Sequence, residues 1–324
     1  MAKLTNPLLD TIFKIIFGKE GVSEEFLIDF LNQVFAGDSE LGNIVSVQYG
    51  NPERIENDAR SKRIIYDIHC TTSSGHRFIL EMQRANQRNF VKRMLYYISR
   101  LITDQVKRIK EENKLSDDAV KKSEYEYMPV VGVFICDFEI NGFPRKTLTR
   151  CFVSDEEDGH IITRDVRMAF VQLPFFNKKK EECVTGFDMW VYILKNMENL
   201  DTLPFREYRD QLFERLEKVV SYAALSKEEQ AEYDKDWKWA MDYNETVLYQ
   251  YDRGVETGFK KGIEKGIEKG IKKGRAEGIE EGIEKGEKLQ AWKTAEILHQ
   301  KSMPLDFISE VTRIPIKELQ EKFS

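Results

Sequence analysis

The sequence predicts an α/β or α+β layered core followed by an all-helical C-terminal region. Three observations carry that prediction. Two segments with helical periodicity open the chain, and β-rich segments follow with a turn signal between two of them. A long amphipathic helix then leads into a strand that is apolar almost throughout.

The elements follow in order. Residues 7–17 repeat Leu9, Ile12, Phe13, Ile16 and Phe17 at helical spacing. Residues 23–36 do the same with Phe26, Leu27, Phe30, Leu31 and Val34, after an N-cap candidate at Ser23. IVSVQY at 44–49 alternates as a strand, and further strands are expected over 62–72 and 76–83. Residues 87–112 place Met94, Ile98, Leu101, Ile102, Gln105 and Ile109 along one side of a helix. MPVVGVFICDF at 128–138 reads as a strand buried on both faces. Short strands are expected near 150–154, 160–164 and 168–173, and helices from 186 to the end.

Composition excludes several classes. The 324 residues carry 50 basic and 56 acidic side chains, a net charge of −6, so no uniformly basic nucleic-acid coat is expected, though a local basic patch is compatible. Cys70, Cys136, Cys151 and Cys183 are widely spaced with no CxxC pair, which fits a reducing compartment rather than a disulfide framework or zinc knuckle. Charges interrupt every apolar run of MAKLTNPLLDTIFKIIFGKE, so no signal peptide is expected, and no uncharged run is long enough to span a membrane.

The stretch IIYDIHCTTSSGHRFILEMQ at 64–83 carries the chemistry. SSG at 73–75 reads as a three-residue hairpin loop with glycine at its left-handed position. That loop opposes Tyr66 to Met82, Ile68 to Leu80 and Cys70 to Phe78, giving one apolar face. The same register opposes Asp67 to Glu81, with Gln83 two residues on. Directly opposed Cβ atoms sit about 5 Å apart, and two carboxylates at that separation repel by roughly 3 kcal/mol at an effective dielectric of about 20. A divalent cation would compensate the pair, and Mg²⁺ favours carboxylate oxygens. Alternatively Asp67 is ion-paired to Arg77 or Arg63, with Glu81 at a sheet rim. His69 shares the face of Asp67, as a polar neighbour or as a ligand.

An acid, a hairpin and then acid–x–polar at a strand end resembles the PD-(D/E)xK nuclease superfamily. More closely, DTIFKIIFG at 10–18, YDIHC at 66–70, ILEMQ at 79–83 and RMLYYISRL at 93–101 resemble the Rpn-type recombination-promoting nucleases, a PD-(D/E)xK transposase family, over roughly residues 5–175. The resemblance implies a restriction-endonuclease-like α-β-β-β-α-β core, a mixed sheet flanked by helices. It implies Asp67 and Glu81 as ligands to Mg²⁺ or Mn²⁺, DNA as substrate, and a bacterial cytoplasmic role in recombination, mobile elements or defence. It also implies that the first helix faces the site, with Asp10 assisting the metal and Lys14 near a phosphate; the plain reading of those two is an i,i+4 pair. Gln83 stands where the superfamily has lysine, and glutamine is neither a cation nor a ready proton donor. Lys14 and Lys62 are candidates for the missing charge. The rival class is a catalytically silent DNA-binding or scaffold protein with the same fold.

From Arg84 to Lys114 there are nine basic and three acidic residues. Arg84, Arg88, Lys92, Arg93 and Arg100 follow the acids closely, with Tyr96 and Tyr97 interleaved, and a positive stripe there could hold a nucleic-acid backbone. The alternative is a solvated helix face.

Residues 254–286 place glycine at every fourth position from Gly254 to Gly286, nine in all, most followed by a hydrophobe. Each costs about 1 kcal/mol against alanine in a helix, so the segment is either a charged linker or a helix that packs closely on another copy. Ten basic and nine acidic residues over 251–288 exclude a basic tail. The last 36 residues predict three short helices broken at Ser302–Pro304 and Arg313–Pro315, around Ala295, Ile297, Leu298, Leu305, Ile308, Val311, Ile316 and Leu319. They read as helix-turn-helix-like without a positive surface. The expected organisation is a nuclease-like domain at 1–178, a helical region at 179–250, the ladder at 251–288 as an oligomerisation segment, and a tail at 289–324.

Overall fold

A computed structural model describes residues 4–50, 67–115, 123 and 125–324, which form two compact units, Met1–Met241 and Asp242–Ser324. The expected pairing of Tyr66 with Met82, and the candidates Lys62 and Arg63, lie outside the described residues.

The first unit is built on a six-stranded mixed sheet. Its strands are β1 (Val47–Tyr49), β2 (Ile68–Thr72), β3 (Arg77–Gln83), β4 (Val130–Cys136), β5 (Leu148–Ser154) and β6 (Ile161–Gln172), ordered β1-β2-β3-β4-β6-β5. β3 and β6 flank β4 in parallel, and the outer pairings are antiparallel. The helices of this unit are α1 (Asp10–Phe17), α2 (Glu24–Val34), α3 (Phe90–Leu115), α4 (Gly186–Asn196), α5 (Leu212–Val220) and the start of α6 (Lys227–Gln300). β4 is buried along its whole length, and its side chains alternate between two cores. Val131, Val133 and Ile135 meet α1, α2, α4 and α5, whereas Val130, Phe134 and Cys136 meet α3. A β-carbon on Gly132 would lie 3.1 Å from Ile98 and closer still to Phe134, so glycine lets α3 approach the sheet.

The hairpin has the register expected of its loop. Ile68 opposes Leu80, Cys70 opposes Phe78, and Gly75 has φ +87°. Ile68, Cys70, Phe78, Leu80 and Met82 form the apolar face beneath α1 and α2. The rings of Phe17, Phe30 and Trp190 pack on one another in tilted and edge-on pairs at centroid separations of 5.1–5.7 Å. Each such fully buried ring contributes roughly 2 kcal/mol or more. This cluster fixes α1, and with it Asp10 and Lys14.

Several local expectations are corrected. β1 begins at Val47 rather than Ile44, because the Asn32 amide brackets Ile44, accepting from its N–H and donating to its C=O at 2.8 Å each. Ser23 sits at the N-cap of α2, but its hydroxyl donates to the Ile15 carbonyl and accepts from the Lys19 N–H, tying the α1–α2 turn together. α3 starts at Phe90, after Asn89 in the left-handed region at φ 63°. The two short strands expected within 160–173 are one strand, β6, whose polar Arg167 is held by Asp38 and Glu40. The run from 186 is not continuously helical: Phe205, Arg209, Asp210 and Gln211 have positive φ between α4 and α5.

In the second unit, α6 passes unbroken through the glycine ladder and is exposed along it. Apart from the adjoining residues and backbone of α6 itself, no atom of the described residues comes within 4 Å of the β-carbon position of any ladder glycine. The tail forms α7 (Leu305–Thr312) and α8 (Ile316–Phe323) against the end of α6, around Ala295, Ile308, Ile314 and Leu319. Ile297, Val311 and Ile316, expected in that core, are exposed, since they fall on the outward sides of their helices.

Candidate metal centre

β3 ends on the residues that the sequence singled out. Alternation places Glu81 on the α3 side with Ile79, and Glu81 is 2 % exposed. Asp67 lies one residue before β2, so the pair is not a regular ladder rung. Instead each carboxylate reaches across the strand gap. The Asp67 N–H donates to Glu81 Oε1 at 3.1 Å, and the Met82 N–H donates to Asp67 Oδ2 at 2.9 Å. The two acids are thus locked together, and among the described residues neither makes an ion pair.

Their electrostatics follow from that placement. Burial pushes Asp67 up to about 6, partly offset by the Met82 N–H and by the charges of Lys14 and Arg93. Burial also raises Glu81 well above the ordinary carboxylate range, and the neighbouring Asp67 raises it further. A buried and a half-buried acid, both resisting ionisation, are a donor set that a hard divalent cation fits, because it supplies the charge they lack. Asp67 and Glu81 are the residues that would hold it.

Other candidates surround the pair. Gln83 Nε2 lies 3.5 Å from Glu81 Oε2, and Gln83 Oε1 accepts from Arg93 Nη2 at 2.5 Å. Arg93 also donates to Gln87. Lys14 bonds Asp10 at 2.7 Å, so the ordinary i,i+4 pair is present. Burial disfavours the Lys14 ammonium, but Asp10, Asp67 and Asp236 outweigh it and the net shift is upward. Among the described residues no three His, Cys, Asp or Glu side chains cluster as a ligand set, though the charge of Asp10 bears on both Asp67 and Glu81. Burial, followed by the charges of Arg77 and Arg108, brings His69 down to about 4. Arg77 lies at the hairpin's far end opposite Thr71. Arg84 and Arg100 are half-buried, whereas Arg88 and Lys92 are exposed.

Sequence reasoning assigned Arg93 to the backbone-binding stripe and missed its bond to Gln83. It also missed Asp236, which accepts from the N–H and hydroxyl of Thr11 and so anchors the first turn of α1. A ten-residue separation between Gln83 and Arg93, spanning a short loop, was the available signal for the first. Nothing local signals the second, 225 residues away.

A mixed sheet between helical layers, with an acid pair where a central strand ends, is consistent with a PD-(D/E)XK fold. The family model for the PD-(D/E)XK nuclease family transposases matches residues 7–250, and the chain belongs to that family. No curated protein and no solved structure matches it.

Proposed function

We propose that this protein is a Mg²⁺- or Mn²⁺-dependent endonuclease that hydrolyses DNA phosphodiester bonds, in a bacterial cytoplasmic setting of recombination, mobile-element movement or defence. The observation that supports it most is the interlocked pair of the buried Glu81 and half-buried Asp67 carboxylates, both raised in pKa and without an ion pair among the described residues. A bound divalent cation would stabilise developing charge on the phosphodiester and lower the pKa of an attacking water. Asp67 and Glu81 hold that cation, and Asp10 assists from α1. Lys14 and the positions Arg84, Arg88, Lys92, Arg93 and Arg100 meet the DNA backbone, whose binding is dominated by phosphate contacts. Gln83 favours the rival reading, a silent DNA-binding scaffold, because it removes the motif's cation.

Plasmid nicking separates the two. Supercoiled DNA with Mg²⁺ or Mn²⁺ is cut by the wild type, and Asp67→Ala and Glu81→Ala each lower the rate by about a thousandfold or more. Tight DNA binding with no nicking would favour the scaffold.

The ladder helix is read as a homo-oligomer contact. Four residues advance 400° around a helix, so the glycine stripe drifts about 40° right-handedly for every ~6 Å of axis and closes one circuit in about 54 Å. Two helices following that stripe at the roughly 40° crossing of small-xxx-small pairs would lie about 6 Å apart, a distance that only glycine admits. Val255, Phe259, Ile263, Ile267, Ile271, Ile279 and Ile283 run beside the glycines and are exposed by 47–70 %. A second copy would cover them.

A further inference from the structure

We propose that Arg93 supplies at the reacting phosphate the positive charge that the motif lysine would otherwise supply, and that Gln83 positions it. The inference rests on the nuclease reading above. It starts from the anomaly at the end of β3: a neutral amide occupies the lysine position, yet both ends of the amide have a partner. Its oxygen accepts from Arg93 Nη2, and its nitrogen approaches Glu81 Oε2. A lysine there would have no acceptor to offer and would press a second cation against the guanidinium. Gln83 therefore matches Arg93 rather than merely lacking a charge.

The restraint on Arg93 is unusual. Its charge acts on both Asp67 and Glu81, favouring their ionised forms. A guanidinium beside carboxylates ordinarily closes a bidentate ion pair. Here Arg93 makes no ion pair among the described residues, and the amide oxygens of Gln83 and Gln87 hold it. The Tyr97 ring lies 5.8 Å from the guanidinium carbon, and Nε is buried without a hydrogen-bond partner among the described residues. Neutral hydrogen-bond partners hold the guanidinium beside the acid pair without closing an ion pair, so its charge is available to a third group there. An anionic phosphodiester is the group that such a charge recognises.

The chemistry balances without a redox partner. The oxygen of one water molecule forms a bond to phosphorus as the bond to the leaving sugar oxygen breaks. One water proton is released to solvent and one is taken up by the leaving oxygen, giving a phosphate monoester and a hydroxyl. Arg93 transfers no proton. Its N–H groups and charge meet the non-bridging oxygens, where negative charge accumulates.

The test uses the full chain, supercoiled plasmid with Mn²⁺, and calorimetric Mn²⁺ binding as a readout independent of turnover. Arg93→Gln should lower nicking by about a hundredfold while Mn²⁺ affinity stays within about threefold and thermal unfolding is unchanged. Arg93→Lys keeps a charge on the same element and should retain intermediate activity. Gln83→Lys alone should also lose activity, because it sets two cations together. Gln83→Lys combined with Arg93→Gln moves the cation to β3 and should recover at least about tenfold over Arg93→Gln. Nicking by Arg93→Gln within about threefold of wild type would overturn the inference. So would a loss of Mn²⁺ affinity parallel to the loss of activity, which would mark Arg93 as structural support. A wild type that does not nick, or an Asp67→Ala variant that nicks equally well, overturns the nuclease reading itself and is distinguishable from either result.

Discussion

The acid pair at the end of β3 and the glycine ladder of α6 break opposite rules. The first buries charge where apolar side chains would be cheaper; Glu81 is 2 % exposed. The second exposes isoleucines on a helix rich in its second-worst residue, with open space around every ladder glycine. On the proposed reading each region is incomplete in its own way: one lacks charge that a cation would supply, and the other lacks a surface that a second helix would cover.

The sharpest way to break that comparison acts on the ladder. Gly262→Ala, Gly266→Ala and Gly270→Ala together add helix propensity of about 3 kcal/mol to a lone helix. In a close-packed pair the same methyls collide. The triple variant should weaken self-association by at least about a hundredfold, read by light scattering coupled to gel filtration. A variant that associates equally well and melts higher would return the segment to a solvated spacer.

A smaller effect sharpens the acid side. Asp67 has its pKa raised to about 6, above the value near 4 of an unfolded aspartate, so the folded protein holds protons that the unfolded chain has released. Stability from that group is present below pH ~4 and is lost as pH rises through about 6. In chelator, the wild type should therefore lose about 2 kcal/mol relative to Asp67→Asn between pH 4 and pH 7.5, measured by urea unfolding. Mg²⁺ at pH 7.5 should restore stability to the wild type only. A gap that stays constant with pH would contradict the reading.

Much of this architecture was legible. The SSG loop set the hairpin register, because a left-handed glycine at position 75 admits one closure, and the apolar run at 130–136 announced a strand covered on both faces. The partners of polar residues were not legible. Asn32 removes Ile44 from the sheet, Asp38 and Glu40 hold Arg167 inside β6, and Gln83 captures Arg93, each through a side chain whose direction no periodicity encodes. The tail core was legible in part: Ala295, Ile308 and Leu319 are buried with Leu298 and Leu305 against them, but short helices allow several pairings of apolar faces, and Ile314, between α7 and α8, takes the place expected of Val311 and Ile316.

Direct titration of the full chain with Mn²⁺ at pH 7.5 bears most closely on the central claim. The account predicts Mn²⁺ binding that disappears in Asp67→Ala and again in Glu81→Ala while both variants stay folded. Binding that survives either substitution, or no binding by the wild type, would contradict it.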